Sequence, residues 1–382
     1  MLRTAEVERD AGVPEEAITR LTAQEQPVGV KEPLHQRYDW LDQSRGFIGV
    51  LLAISVLTWP LSGNVITGEP VVGPTFLNHG FCYVKAEPAL LTLIDAGQQV
   101  FMFLIGFTGY IAFTSRLRKR GGRSAFFYAF RRVAALYLLA AVSDGLIPFL
   151  TDGHCDWHSL IYRATFANLA IGSFAAYVAI ALFRDANSRL RLAALIALVH
   201  AVLFALPLFN HYTSDDSVLG LPLFPFISVN HATLAIVGTC FAQWIRDGRD
   251  DLDAVFRSRI LPAVLLSLIG CYCVDWLQPA EHHDVNLSLV FLSVAFAGLL
   301  LSCFYCFGRI GYRIPVLTEY GRNLLLMFIL TFFVGDMYAR LFSKPFLLAY
   351  PVVAMILVGV LPLAVLAGIA LFLDKKNIVF RL

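Results

Sequence analysis

Asp95, Gln98 and Gln99 stand at i, i+3 and i+4 inside the apolar run LTLIDAGQQVFMFLIGF. On a helix that spacing puts a carboxylate and two amides on one face. In a helix starting near residue 90 they lie about 7–14 Å from its start at 1.5 Å per residue. Polar groups at that depth in a membrane are costly and face a protein interior or a water-filled cavity. The chemistry they offer is hydrogen bonding to a polar molecule held below the membrane surface, set against plain helix–helix hydrogen bonding. An Asn78-His79 pair precedes this run, and a second pair, Asn230-His231, opens a later apolar segment. Asn230 is an ordinary N-cap choice for that later helix, and His231 a substrate-contact candidate at its first turn.

A second set of candidates is cationic. Asp42 and Arg45 are three residues apart at the start of the first apolar segment, where they can pair with each other. Glu319, Arg322 and Asn323 share one face near the start of another, with Gly321 permitting close backbone approach. Arg131 and Arg132 open a third. Guanidiniums gathered at one membrane face suit a phosphate-bearing ligand, because Arg bonds phosphate in a bidentate manner. Contact with anionic lipid is the alternative use of the same residues.

The elements that must position these groups are membrane helices. Of 382 residues, 58% are hydrophobic and only 15% charged, with 31 Phe and a mean hydropathy of +0.67. Soluble domains carry about 25% charged residues, so the chain is predicted to be an all-α polytopic membrane protein. A span takes about 20 apolar residues, which predicts ten, at about residues 46–62, 90–114, 125–149, 160–183, 190–209, 229–246, 259–277, 286–307, 316–340 and 346–373. The segments between them alternate in charge. Arg116, Arg118, Lys119, Arg120 and Arg123 fall in one set, with Arg184, Arg189, Arg191, Arg246, Arg249, Arg257, Arg259, Arg309, Arg313 and Lys375. The other set holds His79, His154, His158, His211, His282 and His283. The positive-inside rule puts the arginine-rich set and both termini in the cytosol, consistent with a bacterial inner membrane. Residues 1–37 are polar, lack a signal-peptide core, and read as a poorly ordered cytosolic tail with a short helix near Pro14–Thr22; residues 38–382 read as one membrane domain. Cys303 and Cys306 read as small buried hydrophobes. Cys82 and Cys155 fall on the histidine-bearing side, which leaves a disulfide between them open. No metal site is expected, and G-x-x-x-x-G-K-[ST], H-E-x-x-H and G-x-S-x-G patterns are absent.

Four segments resemble those of a known family. WLDQSRGF at Trp40–Phe47 resembles the S-L-D-x-x-R-G opening of transmembrane acyltransferases, and LTLIDAGQQVFMFLIGFTGYIAF resembles the second helix of the heparan-α-glucosaminide N-acetyltransferase-like family. That helix is also similar to one in succinyltransferases acting on periplasmic glucans. NHATLAIVGTCFAQWI resembles the sixth helix of the acetyltransferase family, and LTEYGRNLLLMFIL resembles its F-G-x-N-A-L segment. The segments follow the family's order over Arg37 to Leu341. The resemblance implies transfer of an acetyl group from cytosolic acetyl-CoA to an amine or hydroxyl of a sugar or glycan on the far side. It implies His79 as the catalytic histidine, by placement, since the family's His-x-x-Trp is replaced here by His79-Gly80-Phe81.

The residues fit that expectation as follows. Arg45, Arg131, Arg132, Arg322 and Asn323 are the candidates for holding the CoA phosphates. His79 is the candidate base, an imidazole with an ordinary pKa near 6.5, oriented by Asp95 and flanked by Asn78 and Gln98. Gln99 and His231 are candidates for the acceptor, and the Gln amides or Asn323 for a tetrahedral oxyanion. Transfer through an acetyl-histidine is equally consistent. The competing expectation is a secondary transporter, which would show helices broken at Gly or Pro around a buried site. A metal-binding protein using His154, His158, His282 and His283 is a third.

Overall fold

In the computed structural model the chain is helical, and the described residues are 38–58, 95–146, 149–150, 153, 165–205, 217–218, 221–222, 226–278, 280, 285–342, 346 and 349–379. The expected tail, its short helix, the Cys82–Cys155 pair and His79, His154, His158, His282 and His283 lie outside them. We number the helices α1 (Asp39–Thr58), α2 (Asp95–Ala140), α3 (Thr165–Leu182), α4 (Ala186–Ala205), α5 (Phe226–Asp247), α6 (Leu252–Asp275), α7 (Leu287–Arg309), α8 (Pro315–Arg322), α9 (Leu324–Leu341) and α10 (Val352–Lys375). A two-residue antiparallel pairing, Ser217–Val218 with Leu221–Pro222, is the sheet structure among the described residues. Seven helices there are long and apolar enough to cross a membrane, or eight if the bent pair α8–α9 is one span. The chain is therefore a multi-pass membrane protein. Its outward faces carry Leu, Phe and Val, for example Leu266, Leu277, Phe126 and Val352, as lipid contact requires.

Three boundaries depart from the sequence pattern. First, the arginine-rich stretch expected between the second and third spans is helical, and α2 runs 46 residues with a break at Gly121 (φ 76°, ψ 175°). That conformation is open to glycine and hostile to other residues. A straight helix would hold Arg116 and Tyr128 about 18 Å apart, yet the Arg116 guanidinium lies 3.7 Å from the Tyr128 ring centroid. Tyr177 of α3 likewise touches both Phe113 and Tyr128, with ring centroids 5.4 and 6.2 Å away. The chain therefore reverses at Gly121 into two arms.

Second, the expected continuous helix 316–340 breaks into α8 and α9, which meet at 93°. Asn323 at the junction (φ −112°, ψ 26°) leaves helical geometry, so Glu319 and Arg322 belong to α8 alone. Third, α1 begins at Asp39, before the expected residue 46, so Asp42 and Arg45 lie within its first turns. Cys303 and Cys306 are also corrected: both thiols are free and exposed on α7. Their helix buries the face carrying Leu300, Leu301, Phe304 and Tyr305 and leaves the cysteine face outside.

Glycines set the closest helix contacts. A Cβ on Gly106 of α2 would stand 1.8 Å from the Ala235 carbonyl oxygen of α5, and one on Gly238 would stand 2.0 Å from the Phe103 oxygen. Small residues let two backbones approach in this way where lipid supplies no hydrophobic drive. Around that contact Phe103 packs edge-on to Phe241, centroids 5.0 Å apart. At α1–α8 the same device recurs: a Cβ on Gly321 would lie 1.8 Å from the Asp42 carbonyl oxygen, and one on Gly46 1.9 Å from that of Leu317.

Candidate functional site

Two polar regions emerge from this packing, at opposite ends of α7, which starts beside Asn230 of α5 and ends with Gly308 against Trp40 of α1. In the first turns of α5, Asn230 and His231 are fully buried. Because α5 begins at Phe226, Asn230 is a helix-interior residue and not the expected N-cap. Its amide nitrogen instead donates to the Val285 carbonyl oxygen at 2.6 Å and faces Nδ1 of His200 at 2.9 Å. The Val285 bond fixes which amide atom points inward. Nδ1 of His200 must then accept, which places that ring's proton on Nε2. Val285 takes a positive φ of 46° to present its carbonyl, and Asn286 immediately caps α7 through Leu289 N at 3.1 Å. The node thus ties α4, α5 and α7 together. His200 escaped the sequence reading. The signal that would have found it is the single ionisable residue in the run LAALIALVHAVLFA.

Gln99 belongs to the same level of the bundle. Gly106 packs on Ala235, and the Tyr110 ring lies 4.8 Å from the Arg246 guanidinium, so α2 and α5 run in the same direction. Two turns before Gly106, Gln99 is therefore level with the first turns of α5, where Asn230 and His231 sit. Gln99 is 2% exposed, and its Oε1 has no hydrogen-bond partner among the described residues. A buried amide oxygen left so is an acceptor waiting for a donor. Gln98 is half-buried and Asp95 begins the helix. Asn78 and His79 lie outside the described residues.

At the other end, the cationic candidates separate into two neighbourhoods. Arg322 is a hub. Its Nη1 donates to both Glu319 oxygens at 2.8 Å and to Asp374 at 3.1 Å, and its Nη2 reaches Asp39 at 3.4 Å. Asp42 lies 3.9 Å from its Nε. Arg313 Nη2 also donates to Glu319, at 2.8 Å, and Arg45 pairs with Asp42 at 3.1 Å, as their spacing suggested. Asn323 holds the end of the chain through the Ile378 carbonyl at 3.4 Å. Four carboxylates and three guanidiniums therefore clamp α1, α8 and α10 together, and here Arg45 and Arg322 are engaged by acids. Arg132 lies elsewhere, on the second arm of α2, with Nη1 donating to the Tyr128 hydroxyl at 3.1 Å. Arg131 beside it is exposed. The sequence reading had not joined Asp39, Arg313 and Asp374 to this cluster, since nothing local links residues so far apart in the chain.

No group of three His, Cys, Asp or Glu that could hold a metal occurs among the described residues. No protein-family model and no curated protein sequence matches the chain.

Proposed function

We propose that the protein is a membrane acyltransferase that moves an acetyl group from cytosolic acetyl-CoA to an amine or hydroxyl of a sugar or glycan on the extracytoplasmic side. The observation that carries this reading is the buried node of Asn230, His200 and His231 with the unpartnered Gln99 oxygen at its level. It offers the Gln99 amide oxygen, in a setting of neutral amide and imidazole groups rather than a fixed charge, to a polar acceptor inside the bundle. In this reading His79 is the base, Asp95 orients it, Gln98 and Asn78 flank it, and Gln99 and His231 contact the acceptor. Acetyl-CoA is the donor, and its phosphates engage Arg45, Arg322 and Asn323 after the carboxylates around Arg322 give way; Arg131 and Arg132, in their separate neighbourhood, are the alternative phosphate contacts.

The topology we infer has ten spans with both termini cytosolic. Eight apolar spans, counting α8–α9 as one, become nine when the two arms of α2 are counted separately. The buried 22-residue α5 makes ten. The arginine-rich ends then face the cytosol, of a bacterial inner membrane.

The test is transfer of radiolabelled acetyl from acetyl-CoA to a panel of sugar amines and hydroxyls by purified protein in vesicles. We expect label in at least one acceptor and none with His79→Ala at equal expression. Full activity of that variant refutes the assignment of His79, and an unlabelled panel refutes acetyl transfer.

A second reading, secondary transport of a small polar solute, is favoured by one observation: the 93° break between α8 and α9. Broken helices line substrate sites in transporters. Counterflow of a labelled solute without acetyl-CoA would establish it.

A further inference from the structure

Arg189 is the largest fully buried side chain among the described residues, with no exposed surface. It lies in the first turn of α4, at the arginine-rich end of the bundle, against α2 and α5. One of its nitrogens, Nη2, donates to Gln243 Oε1. The other two, Nε and Nη1, are buried and well-formed hydrogen bonds do not reach them; the groups beside the guanidinium, the Tyr110 hydroxyl and the Cys240 thiol, are neutral. Arg189 makes no ion pair among the described residues, although a guanidinium cannot shed its proton. The nearby carboxylates are spent. Asp247 binds Arg246 through Oδ1 at 2.9 and 2.8 Å and Gln243 through Oδ2 at 3.0 Å. Asp185, exposed at the start of α4, accepts the Ser188 amide with both oxygens at 3.1 Å.

A second cation stands close. The Arg189 guanidinium carbon lies 4.6 Å from the Tyr110 ring centroid and that of Arg246 lies 4.8 Å from it. The two carbons are thus at most 9.4 Å apart, those distances laid end to end. Both cations are steadied by one aromatic ring, and the start of α4 adds its own positive dipole end. A buried charge with unused donors is costly unless an anion completes it.

We propose that Arg189, Arg246 and Tyr110 form a binding site for the phosphate group of a phosphate-bearing ligand. Several tetrahedral oxygens can accept from two guanidiniums at once, whereas a carboxylate offers two oxygens in one plane. This site is separate from the Arg322 cluster, where carboxylates hold Arg45, Arg313 and Arg322 alike; here Asp247 holds Arg246 and leaves Arg189 to the anion. It stands whether or not the protein transfers acyl groups.

The test measures binding to the full-length purified protein in phosphate-free detergent buffer, by thermal shift and by native mass spectrometry. The probes are inorganic phosphate, adenosine 3′,5′-bisphosphate and dioctanoyl phosphatidic acid, with acetate as the carboxylate control. We expect at least one phosphate-bearing probe to bind saturably, at least tenfold more weakly to Arg189→Leu and at least threefold more weakly to Arg246→Gln. Preference for the bisphosphate identifies a soluble nucleotide-type ligand, and preference for phosphatidic acid identifies a lipid headgroup. Should Arg189→Leu fail to fold, Arg246→Gln carries the test, because its side chain is only two-thirds buried. The proposal is overturned if no phosphate-bearing probe binds the native protein, if acetate binds as well, or if the folded variants bind as tightly as the native chain.

Discussion

Replacing Arg322 with Leu tests how the broken helix is held. Its main partner, Glu319, has a side chain only 2% exposed and accepts two bonds of 2.8 Å from it. Opposite charges about 4 Å apart in an effective dielectric of about 20 attract by about 4 kcal/mol. Removing one member of a buried pair costs about 3–5 kcal/mol, because the other is left buried and uncompensated. Two remaining cations reduce that loss: Arg313 still reaches Glu319 at 2.8 Å and Arg45 still pairs with Asp42 at 3.1 Å. Asp39 and Asp374, with side chains 43% and 44% exposed, turn to water and add about 0–1 kcal/mol each. The expected destabilisation is therefore about 3 kcal/mol, a factor of about 150 in the folding equilibrium. The assay is a double-mutant cycle of Arg322→Leu, Glu319→Leu and the double variant, followed by reversible denaturation in mixed micelles. The double variant should recover at least about 1.5 kcal/mol of the summed single losses, since it leaves neither charge alone. A coupling below about 0.5 kcal/mol would refute the argument that this pair holds α8 in place.

Gly106→Ala puts a Cβ 1.8 Å from the Ala235 oxygen, so α2 and α5 must separate, at a cost of about 1–3 kcal/mol in thermal stability. Gly368→Ala in α10, with nothing within 4 Å, should by contrast be neutral or stabilising by up to about 1 kcal/mol. Gly121→Ala meets no neighbour either, yet forces alanine to φ 76°, and should cost about 1–3 kcal/mol; an unchanged denaturation midpoint would contradict the reversal at that residue. Asn230→Leu leaves the Val285 carbonyl and His200 Nδ1 without their donor, with an expected loss of about 2–4 kcal/mol and faster hydrogen exchange at the start of α7. The hydroxyl and amide of Ser188 hold the Asp185 carboxyl below its usual range. A lowered carboxylate pKa stabilises the fold above the unfolded value, near pH 4, and that contribution disappears as the pH falls through the folded value. Protection from hydrogen exchange in the first turn of α4, measured relative to the intrinsic rate at each pH, should fall over that range in native protein and stay constant in Asp185→Asn.

Much of the architecture was legible from local chemistry. Long apolar runs and scarce charge are enough to specify membrane helices, because every backbone group in lipid must be satisfied within the chain. The Asp42–Arg45 pair was also readable, being three residues apart, and so was the room for close approach at Gly321, although its partner, the Asp42 carbonyl of α1, was not. Periodicity could not reveal the reversal at Gly121, since helical sequence continues on both sides and a single residue's φ makes the turn. Nor could it reveal the break at Asn323, where LTEYGRNLLLMF keeps a helical pattern while Asp39, Arg313 and Asp374 fasten the short arm from distant positions. The candidate site divides in the same way. Asp95, Gln98 and Gln99 share a face because helical spacing alone dictates it. That Asn230 spans from His200 to Val285, and that Arg189 is buried without a counter-ion among the described residues while Arg322 has four, are decided by which helices meet, and only packing in three dimensions selects those neighbours.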